Sequence, residues 1–232
     1  MNSSKPALIH DQRLVDQLSD LPKVARELVV YRVTGLATDP IAPSISGGRW
    51  APPASGDVSF PVLYTSLVRE GAIAEVASFL ASLTPVPNHR LLKISRLSVS
   101  ISETVELSKE DLERLGVDLA KYGLRDYPIT QNIGAALAFL GIDGLVAPSA
   151  RWDCKNLTIF SGNHRWENKL DVLDSEEFEW RSWAVANKFL CGSNKIARAL
   201  FRLILPVHNH FFHLKNTYGS TAAATIMTSA IG

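Results

Sequence analysis

The chain has few cysteines and no apolar segment long enough to cross a membrane. Its two cysteines, Cys154 and Cys191, have no second Cys and no His near them at the spacing of a metal site. We therefore expect reduced structural thiols, with a disulfide or redox pair as the alternative. The most apolar stretch, residues 196–207, is interrupted by Arg198 and Arg202, whereas a membrane-spanning helix needs ~20 apolar residues. The sequence thus predicts no membrane span.

The N-terminus also lacks the apolar core of a secretory signal. Residues 1–6 are mostly polar, and Asp11, Arg13 and Asp16 follow closely. We therefore expect a cytoplasmic protein.

Neither sign of charge dominates the sequence. Lys and Arg number 24 against 23 Asp and Glu, which gives a formal net charge of +1. A protein that coats nucleic acid needs clustered Lys and Arg, so we expect no direct binding to nucleic acid. The charge is unevenly placed, because residues 181–232 hold six Lys or Arg and no Asp or Glu. This basic end is predicted either to contact an acidic partner or to be a solvated terminus.

Several motifs of cofactor and nucleophile sites are absent. The chain has no glycine-rich dinucleotide or phosphate-binding loop. No Gly-x-Ser-x-Gly surrounds Ser149, which disfavours a nucleophilic serine. His208, His210 and His213 lie beside two phenylalanines, a pattern more typical of packing or of an exposed terminus than of a metal site. We predict no metal site and no resident cofactor.

The pattern of apolar residues predicts interleaved strands and helices. The predicted strands are residues 28–33, 61–64, 90–101, 144–147 and 156–160, with a bulge near Ser95 and Arg96. The predicted helices are residues 67–82 with Ser66 as N-cap, a short helix opened by the capping box Ser108–Asp111, residues 130–140 before Gly141, and residues 193–205. Residues 34–60, rich in Pro, Gly and Ser, predict a long loop. Several strands follow one another without room for a crossover helix, so the sequence predicts an α+β domain with a mixed sheet.

Changes in composition divide the chain into three parts. We expect an N-terminal extension over residues 1–27 and a folded domain over residues 28–175. Residues 176–232 are predicted to form a basic, partly helical C-terminal extension of unknown role.

Three charged side chains are candidates for a functional site. Glu75 lies ~200° around the predicted helix from the apolar Ile73, so it is either a functional carboxylate or a solvated helix residue. Arg49 follows the Gly47–Gly48 pair, where absent side chains let a ligand approach the backbone, and Arg32 lies near the end of a strand. An arginine fork suits bidentate contact with phosphate, although either arginine could instead join a loop to the sheet.

Tyr64 and Ser149 allow two interpretations each. Tyr64, at the end of a short predicted strand, has a ring that can stack on a flat base and a hydroxyl that can orient it, or it is a core aromatic. Ser149 follows a proline between two predicted strands, where its hydroxyl can bind a ligand or cap a turn.

The order and spacing of these residues resemble a known family. Tyr31–Arg32, Gly47–Trp50, Tyr64–Ser66, Glu75 and Pro148–Arg151 together resemble the signature of the RES domain family, named for its arginine, glutamate and serine. The match covers roughly residues 28–160, and each fragment alone is weak. Members of this family are usually NAD-destroying toxins of bacterial toxin–antitoxin pairs, with a fold similar to that of ADP-ribosyltransferases. Where many members have Asn or His after the Arg-Trp pair, this chain has Ala51–Pro53.

The resemblance implies a toxin that cleaves NAD to nicotinamide and an ADP-ribose product, with water as the acceptor and NAD as a substrate. Cleavage of this bond passes through a sugar cation that resembles an oxocarbenium ion, which an anionic side chain can stabilise. By the match to the family's motif, the implied catalytic residues are Glu75, Tyr64 and Arg49, and the implied substrate-binding residues are Arg32, Gly48 and Ser149.

The same resemblance implies a protein partner. RES toxins are typically restrained by an Xre-like helix-turn-helix antitoxin encoded beside them, and the resemblance is compatible with a homodimer. Two alternative functions remain open from the residues. One is transfer of ADP-ribose or phosphoribose to a protein target, and the other is a non-catalytic module in which residues 181–232 bind a partner.

Overall fold

The computed structural model describes residues 11–53, 60–88 and 90–190. The α-helices are α1 (Gln12–Ser19), α2 (Arg69–Ser82), α3 (Lys109–Arg114), α4 (Pro128–Phe139) and α5 (Trp180–Ala186), and a 3-10 turn covers Leu119–Lys121. The strands are β1 (Val24–Thr34), β2 (Val62–Ser66), β3 (Leu91–Glu106), β4 (Gly144–Pro148), β5 (Lys155–Phe160) and β6 (Leu170–Glu179). The predicted α+β class is confirmed.

The first five strands close into a ring. β1 pairs antiparallel with β2 and, along its other edge, with β3. β2 continues to β5 and β5 to β4, and β4 returns to β3 through a parallel pairing. β6 pairs antiparallel with β3 outside the ring. The predicted mixed sheet is therefore confirmed, and it closes because β3, with 16 residues, is long enough to hold three partners.

Alternate side chains of the ring fill its interior. This inner cluster consists of Val30, Leu63, Leu97, Val99, Ile101, Val146, Leu157 and Ile159, and each is at most 2% exposed. Successive residues of a strand point to opposite faces. Tyr64 and Asn156, which neighbour Leu63 and Leu157 in sequence, therefore point to the outer face of the ring.

Helices cover the outer face in two groups. α2 and α5 pack over β1 and β3 through a cluster that includes Ile73, Leu92 and Trp180. α1, α4 and the loop around Trp50 pack over β2, β4 and β5 through a second cluster. The outward side chains of β2 and β5 lie at the boundary between these two groups, which is termed the cleft below.

A glycine lets the Trp50 loop pack directly on α4. A Cβ at Gly134 would lie 1.8 Å from the carbonyl oxygen of Trp50, so only glycine permits this approach. Trp50 itself is 3% exposed. The loop that carries Arg49 is thereby fixed to the core rather than left free.

The start of α2 differs from the prediction. Ser66 is the last residue of β2, and α2 begins at Arg69 after Val68, which provides no side-chain cap. The prediction of Ser66 as N-cap is therefore wrong. Ser66 instead pairs with Tyr31 and Asn156 across the ring, because its strand runs two residues longer than predicted.

The predicted bulge in β3 has a different explanation. Leu92 and Ile94 contact the α2 cluster, whereas Leu97 belongs to the inner cluster. β3 pairs with β1 in unbroken register through this segment. The irregularity lies in β6, where Leu173 is the extra residue between the partners of Arg96 and Leu97. The apolar pattern changes phase because both faces of β3 are covered.

Other predicted elements are confirmed to within a few residues. In the capping box of α3, Ser108 and Asp111 exchange hydrogen bonds between side chain and backbone. α4 begins at Pro128, and Gly141 follows its end with a φ of 78°. β4 and β5 occupy their predicted positions. In the described parts of residues 34–60 the chain forms one isolated bridge and is otherwise loop.

The C-terminal boundary expected at residue 175 falls inside β6. This strand pairs with β3 as far as Glu179, and Trp180 behind it is fully buried. At the other end, β1 begins at Val24 rather than at residue 28, and α1 packs on α4.

Some predicted features lie outside the described residues, namely Cys191, the helix over residues 193–205 and the three histidines at 208, 210 and 213. Within the described ranges, no group of three or more His, Cys, Asp and Glu could hold a metal ion. The described helices reach at most 14 residues, and none is both long and apolar enough to span a membrane.

Candidate active site

The carboxylate of Glu75 faces the cleft from α2 and is held at one oxygen. Glu75 Oε1 accepts hydrogen bonds from Ser149 Oγ at 2.8 Å and from Asn156 Nδ2 at 2.9 Å. Its other oxygen, Oε2, accepts no hydrogen bond from any described residue, and the side chain is half-buried. One carboxylate oxygen is therefore fixed by the protein, and the other has no hydrogen-bond donor among the described residues.

Ser149 holds Glu75 and caps a turn at the same time. Its Oγ accepts hydrogen bonds from the backbone N–H groups of Arg151 at 3.1 Å and Trp152 at 3.3 Å. The hydroxyl proton is donated to Glu75. Ser149 therefore caps a turn, as one of its two interpretations predicts, and its hydroxyl contacts the Glu75 carboxylate at the cleft.

Arg49 lies between two tyrosine rings on the opposite wall. Its guanidinium carbon is 4.2 Å from the ring centre of Tyr122 and 4.8 Å from that of Tyr127. Cation–π contacts of this kind hold the planar fork by its faces and leave its N–H edges available. No described carboxylate forms an ion pair with Arg49. The guanidinium is therefore a fixed cation without a counter-ion among the described residues.

Gly48 and Tyr64 form the base of the Arg49 loop. Tyr64 Oη accepts a hydrogen bond from the backbone N–H of Trp50 at 3.2 Å. A Cβ at Gly48 would lie 2.8 Å from this oxygen, so the loop can approach Tyr64 only with glycine there. Gln131 Nε2 on α4 donates to the Gly48 carbonyl at 2.9 Å. Gly48 thus sets the position of Arg49 through backbone contacts.

Burial keeps both cleft tyrosines protonated. Burial raises the pKa of Tyr64 far above its usual value, and hydrogen bonds from the Trp50 and Ala51 backbone only partly oppose this. Burial also raises the pKa of Tyr122 to about 12, with the charge of Arg49 lowering it and that of Glu75 raising it. Tyr122 therefore lies within electrostatic reach of both charged groups.

Arg32 lies on the other face of β1 from the residues that contact α2. Its Nη1 donates to the carbonyl oxygens of Pro40 at 2.8 Å and Ala42 at 2.6 Å. Burial lowers the pKa of Arg32 to about 10, with nearby Asp39 opposing the shift. Arg32 is still charged at neutral pH, and in this structure it anchors the start of the loop that leads to Arg49.

The structure brings five of the six predicted site residues to the cleft, namely Glu75, Tyr64, Arg49, Gly48 and Ser149. Sequence reasoning does not identify Asn156, Tyr122, Tyr127 and Gln131. These residues come from β5, from the segment before α4 and from α4 itself, so no local motif links them to Glu75 or Arg49. The roles of all these residues in binding or catalysis stay predictions.

Comparison with known proteins places the fold. The family model described as RES domain matches residues 29–181, which include β6 and the start of α5. The fold is similar to a chain in the crystal structure of the MbcT–MbcA toxin–antitoxin complex of M. tuberculosis, with a TM-score of 0.64 and 20% sequence identity. That alignment covers 75% of this chain and 96% of the other. No curated protein matches the sequence. Because the RES domain model matches most of this chain, the chain belongs to the RES domain family.

Proposed function

We propose that this protein cleaves NAD between nicotinamide and ribose, with water as the acceptor, and that it acts as the toxin of a toxin–antitoxin pair. The observation that carries this proposal is the Glu75 carboxylate, which is fixed at Oε1 and open at Oε2. A fixed Arg49 lies on the opposite wall of the same cleft. An open anion and an open cation suit a substrate with a sugar that becomes cationic and two anionic phosphates.

The chemistry asked of Glu75 is electrostatic. As the bond between the ribose C1′ and the nicotinamide nitrogen breaks, its electron pair leaves with nicotinamide and positive charge develops on the sugar. A carboxylate aimed at that charge lowers the barrier, because the fixed anion needs no reorganisation during the reaction. Water then bonds to C1′ and releases a proton, which yields ADP-ribose, nicotinamide and H⁺.

Arg49 is the proposed contact for the pyrophosphate. The Tyr122 and Tyr127 rings hold the faces of its guanidinium, so the N–H edge is free for bidentate contact with phosphate oxygens. Tyr64 and Ser149 support this arrangement by fixing the Arg49 loop and the Glu75 carboxylate. Arg32 is proposed to support substrate binding by anchoring the same loop.

An antitoxin is the proposed partner. A chain with a similar fold was solved in a toxin–antitoxin complex, and membership of the RES domain family supports the same kind of pair for this chain. A helix-turn-helix protein of the Xre type is the proposed antitoxin, and occlusion of the cleft by one of its segments is the proposed mode of restraint. Self-association as a homodimer is compatible with this arrangement.

The proposal is tested by product analysis of NAD incubated with the purified chain. We expect nicotinamide and ADP-ribose in equal amounts from the parent. With Glu75→Gln, once circular dichroism has shown that this variant is folded, we expect both products to fall about 100-fold or more. A cell lysate is then added to supply protein acceptors. If the mass of ADP-ribose is found on a lysate protein and no free ADP-ribose is released, the reaction is transfer to a protein rather than hydrolysis. Unchanged NAD under both conditions would reject the proposed activity.

A further inference from the structure

Asn156 contacts Glu75 from a rigid part of the sheet. It lies on β5 between Ser66 of β2 and Ala147 of β4, with backbone pairing on both sides. Its Nδ2 donates to Glu75 Oε1 at 2.9 Å. Ser149 reaches the same oxygen from a loop, so the carboxylate is held by one donor from the sheet and one from a turn.

A side-chain amide can present either its NH₂ or its oxygen to a neighbour, so its orientation needs a cause. Cys154 Sγ donates to Asn156 Oδ1 at 3.9 Å. This contact places the oxygen toward Cys154 and therefore turns the NH₂ toward Glu75. An amide in the opposite orientation would set two acceptors against each other at Glu75, and its NH₂ would face the Cys154 sulfur, which is only a weak acceptor.

The hydrogen bond from Cys154 is the third step of a chain that begins at the backbone. The N–H of Val68 donates to Ser66 Oγ at 3.5 Å, and Ser66 Oγ lies 3.5 Å from Cys154 Sγ. If each group accepts from the one before it and donates to the next, the direction is fixed from Val68 to Glu75. Hydrogen bonds arranged in one direction polarise one another.

Two further observations agree with this direction. Burial raises the pKa of the Cys154 thiol, so the sulfur keeps the proton that it must donate. Gly71 on α2 allows the chain to form, since a Cβ there would lie 2.4 Å from Ser66 Oγ and 2.5 Å from Cys154 Sγ. The helix that carries Glu75, α2, thus packs against the series of hydrogen bonds that orients Asn156.

We propose that Asn156 is a positioning residue for Glu75: its amide, oriented by the Val68–Ser66–Cys154 chain, fixes the carboxylate with Oε2 directed to the substrate sugar. This inference rests on the proposed function, because it assigns a task to the same carboxylate. Asn156 suits the task because an amide cannot ionise. It supplies a donor without a positive charge, which would compete with the sugar cation for the Glu75 carboxylate.

The first test is steady-state kinetics of Asn156→Leu, which keeps the size of the side chain and removes the donor. We expect kcat to fall about 10- to 100-fold, the range for a lost hydrogen bond to a charged group, with KM for NAD nearly unchanged. Asn156→Asp keeps the volume of the side chain but removes the donor and adds a charge beside Glu75. The kcat of this variant should fall at least as far. Asn132→Leu, on an exposed position of α4, is the matched control and should keep the parent's kcat.

Retention of the parent's kcat by both Asn156 variants would overturn the inference. A second readout does not depend on turnover and separates this inference from the proposed function. The ¹⁵N–¹H signals of the Asn156 side-chain amide, assigned by their loss in Asn156→Leu, should shift in Glu75→Gln because the charged acceptor becomes neutral. Unshifted signals would overturn the positioning role even in an active enzyme, whereas shifted signals with no NAD turnover would reject only the proposed reaction.

Discussion

At the scale of single residues, the cleft holds one carboxylate and one guanidinium, and two neighbours fix each of them. Ser149 and Asn156 donate to the Glu75 carboxylate, and the rings of Tyr122 and Tyr127 sandwich Arg49. Because these groups are ordered before a ligand arrives, binding does not have to immobilise them, and this lowers the entropic cost of association.

The tyrosine sandwich makes a prediction for Arg49→Lys. Lysine keeps the positive charge but has no planar face for the two rings and no fork for phosphate. We expect KM for NAD to rise about tenfold, in line with the loss of ~1–2 kcal/mol of cation–π and bidentate contacts. Arg114→Lys, at an exposed position on α3, is the control. An unchanged KM in Arg49→Lys would contradict a role for the fork in substrate binding.

The raised pKa of Tyr122 makes a prediction about stability at high pH. Burial raises this pKa from its ordinary value of 10.0 to about 12 in the fold. The folded state therefore favours the neutral phenol, and its stabilising effect is complete below about pH 10 and is lost as the pH rises toward 12. Urea unfolding of the parent and of Tyr122→Phe should show the parent losing stability relative to the variant above about pH 10. A pH-independent difference would contradict the buried environment assigned to Tyr122.

At the scale of elements, local patterns predict most strands and helices, and contacts between distant segments account for what they do not predict. The short apolar runs of β4 and β5 and the capping box of α3 are local signals, and the structure confirms these elements. The sequence predicts Ser66 as a helix cap because a serine before a helix is a common signal, but pairing with β1 and β5 keeps it in a strand. In β3 the buried apolar residues switch from one face to the other because different layers cover its two ends. The residues of β3 alone do not indicate which layers cover it.

The same limit applies to the cleft. Glu75, Arg49, Tyr64 and Ser149 can be identified from the sequence because each belongs to a motif fragment. Asn156 lies in a strand whose apolar residues dominate its pattern, and only the tertiary fold brings it to Glu75 of α2. Residues of this kind have no sequence signal until the fold is known.

The contact between α2 and the ring predicts the effect of Gly71→Ala. The added methyl would overlap Ser66 Oγ and Cys154 Sγ, so α2 has to shift and carry Glu75 with it. We expect a loss of ~1–3 kcal/mol in the free energy of unfolding, as for overpacked cores, despite the helix preference for alanine, together with reduced NAD cleavage. Gly162→Ala, where a Cβ meets nothing within 4 Å, should keep the parent's urea midpoint. A Gly71→Ala protein as stable as the parent would show that α2 is not tightly packed there.

At the scale of the whole molecule, β3 joins the ring to β6 and α5. β6 pairs with β3 over nine residue pairs, and the fully buried Trp180 closes the cluster over β1 and β3. The folded domain therefore includes residues beyond 175, in agreement with the family match to residue 181.

Truncation tests this boundary. A chain that ends at Leu190 keeps every described contact and should unfold in urea as cooperatively as the parent. A chain that ends at Ser175 loses the last four of the ten residues of β6 together with Trp180, and removal of a buried tryptophan side chain alone costs ~3–5 kcal/mol. We expect this shorter chain to be largely unfolded by circular dichroism. Native-like folding of residues 1–175 would show that α5 is dispensable to the domain.

The measurement that tests the account most directly is the rate of nicotinamide release from NAD by the parent, by Glu75→Gln and by Glu70→Gln. Both glutamates lie on α2, but Glu70 is exposed and outside the cleft, so the pair controls for helix and charge. We expect release by the parent and by Glu70→Gln, and a fall of about 100-fold or more in Glu75→Gln, the scale of losing one fixed electrostatic stabiliser. Equal rates in all three proteins, with every protein folded, would contradict the assignment of NAD cleavage to the Glu75 carboxylate.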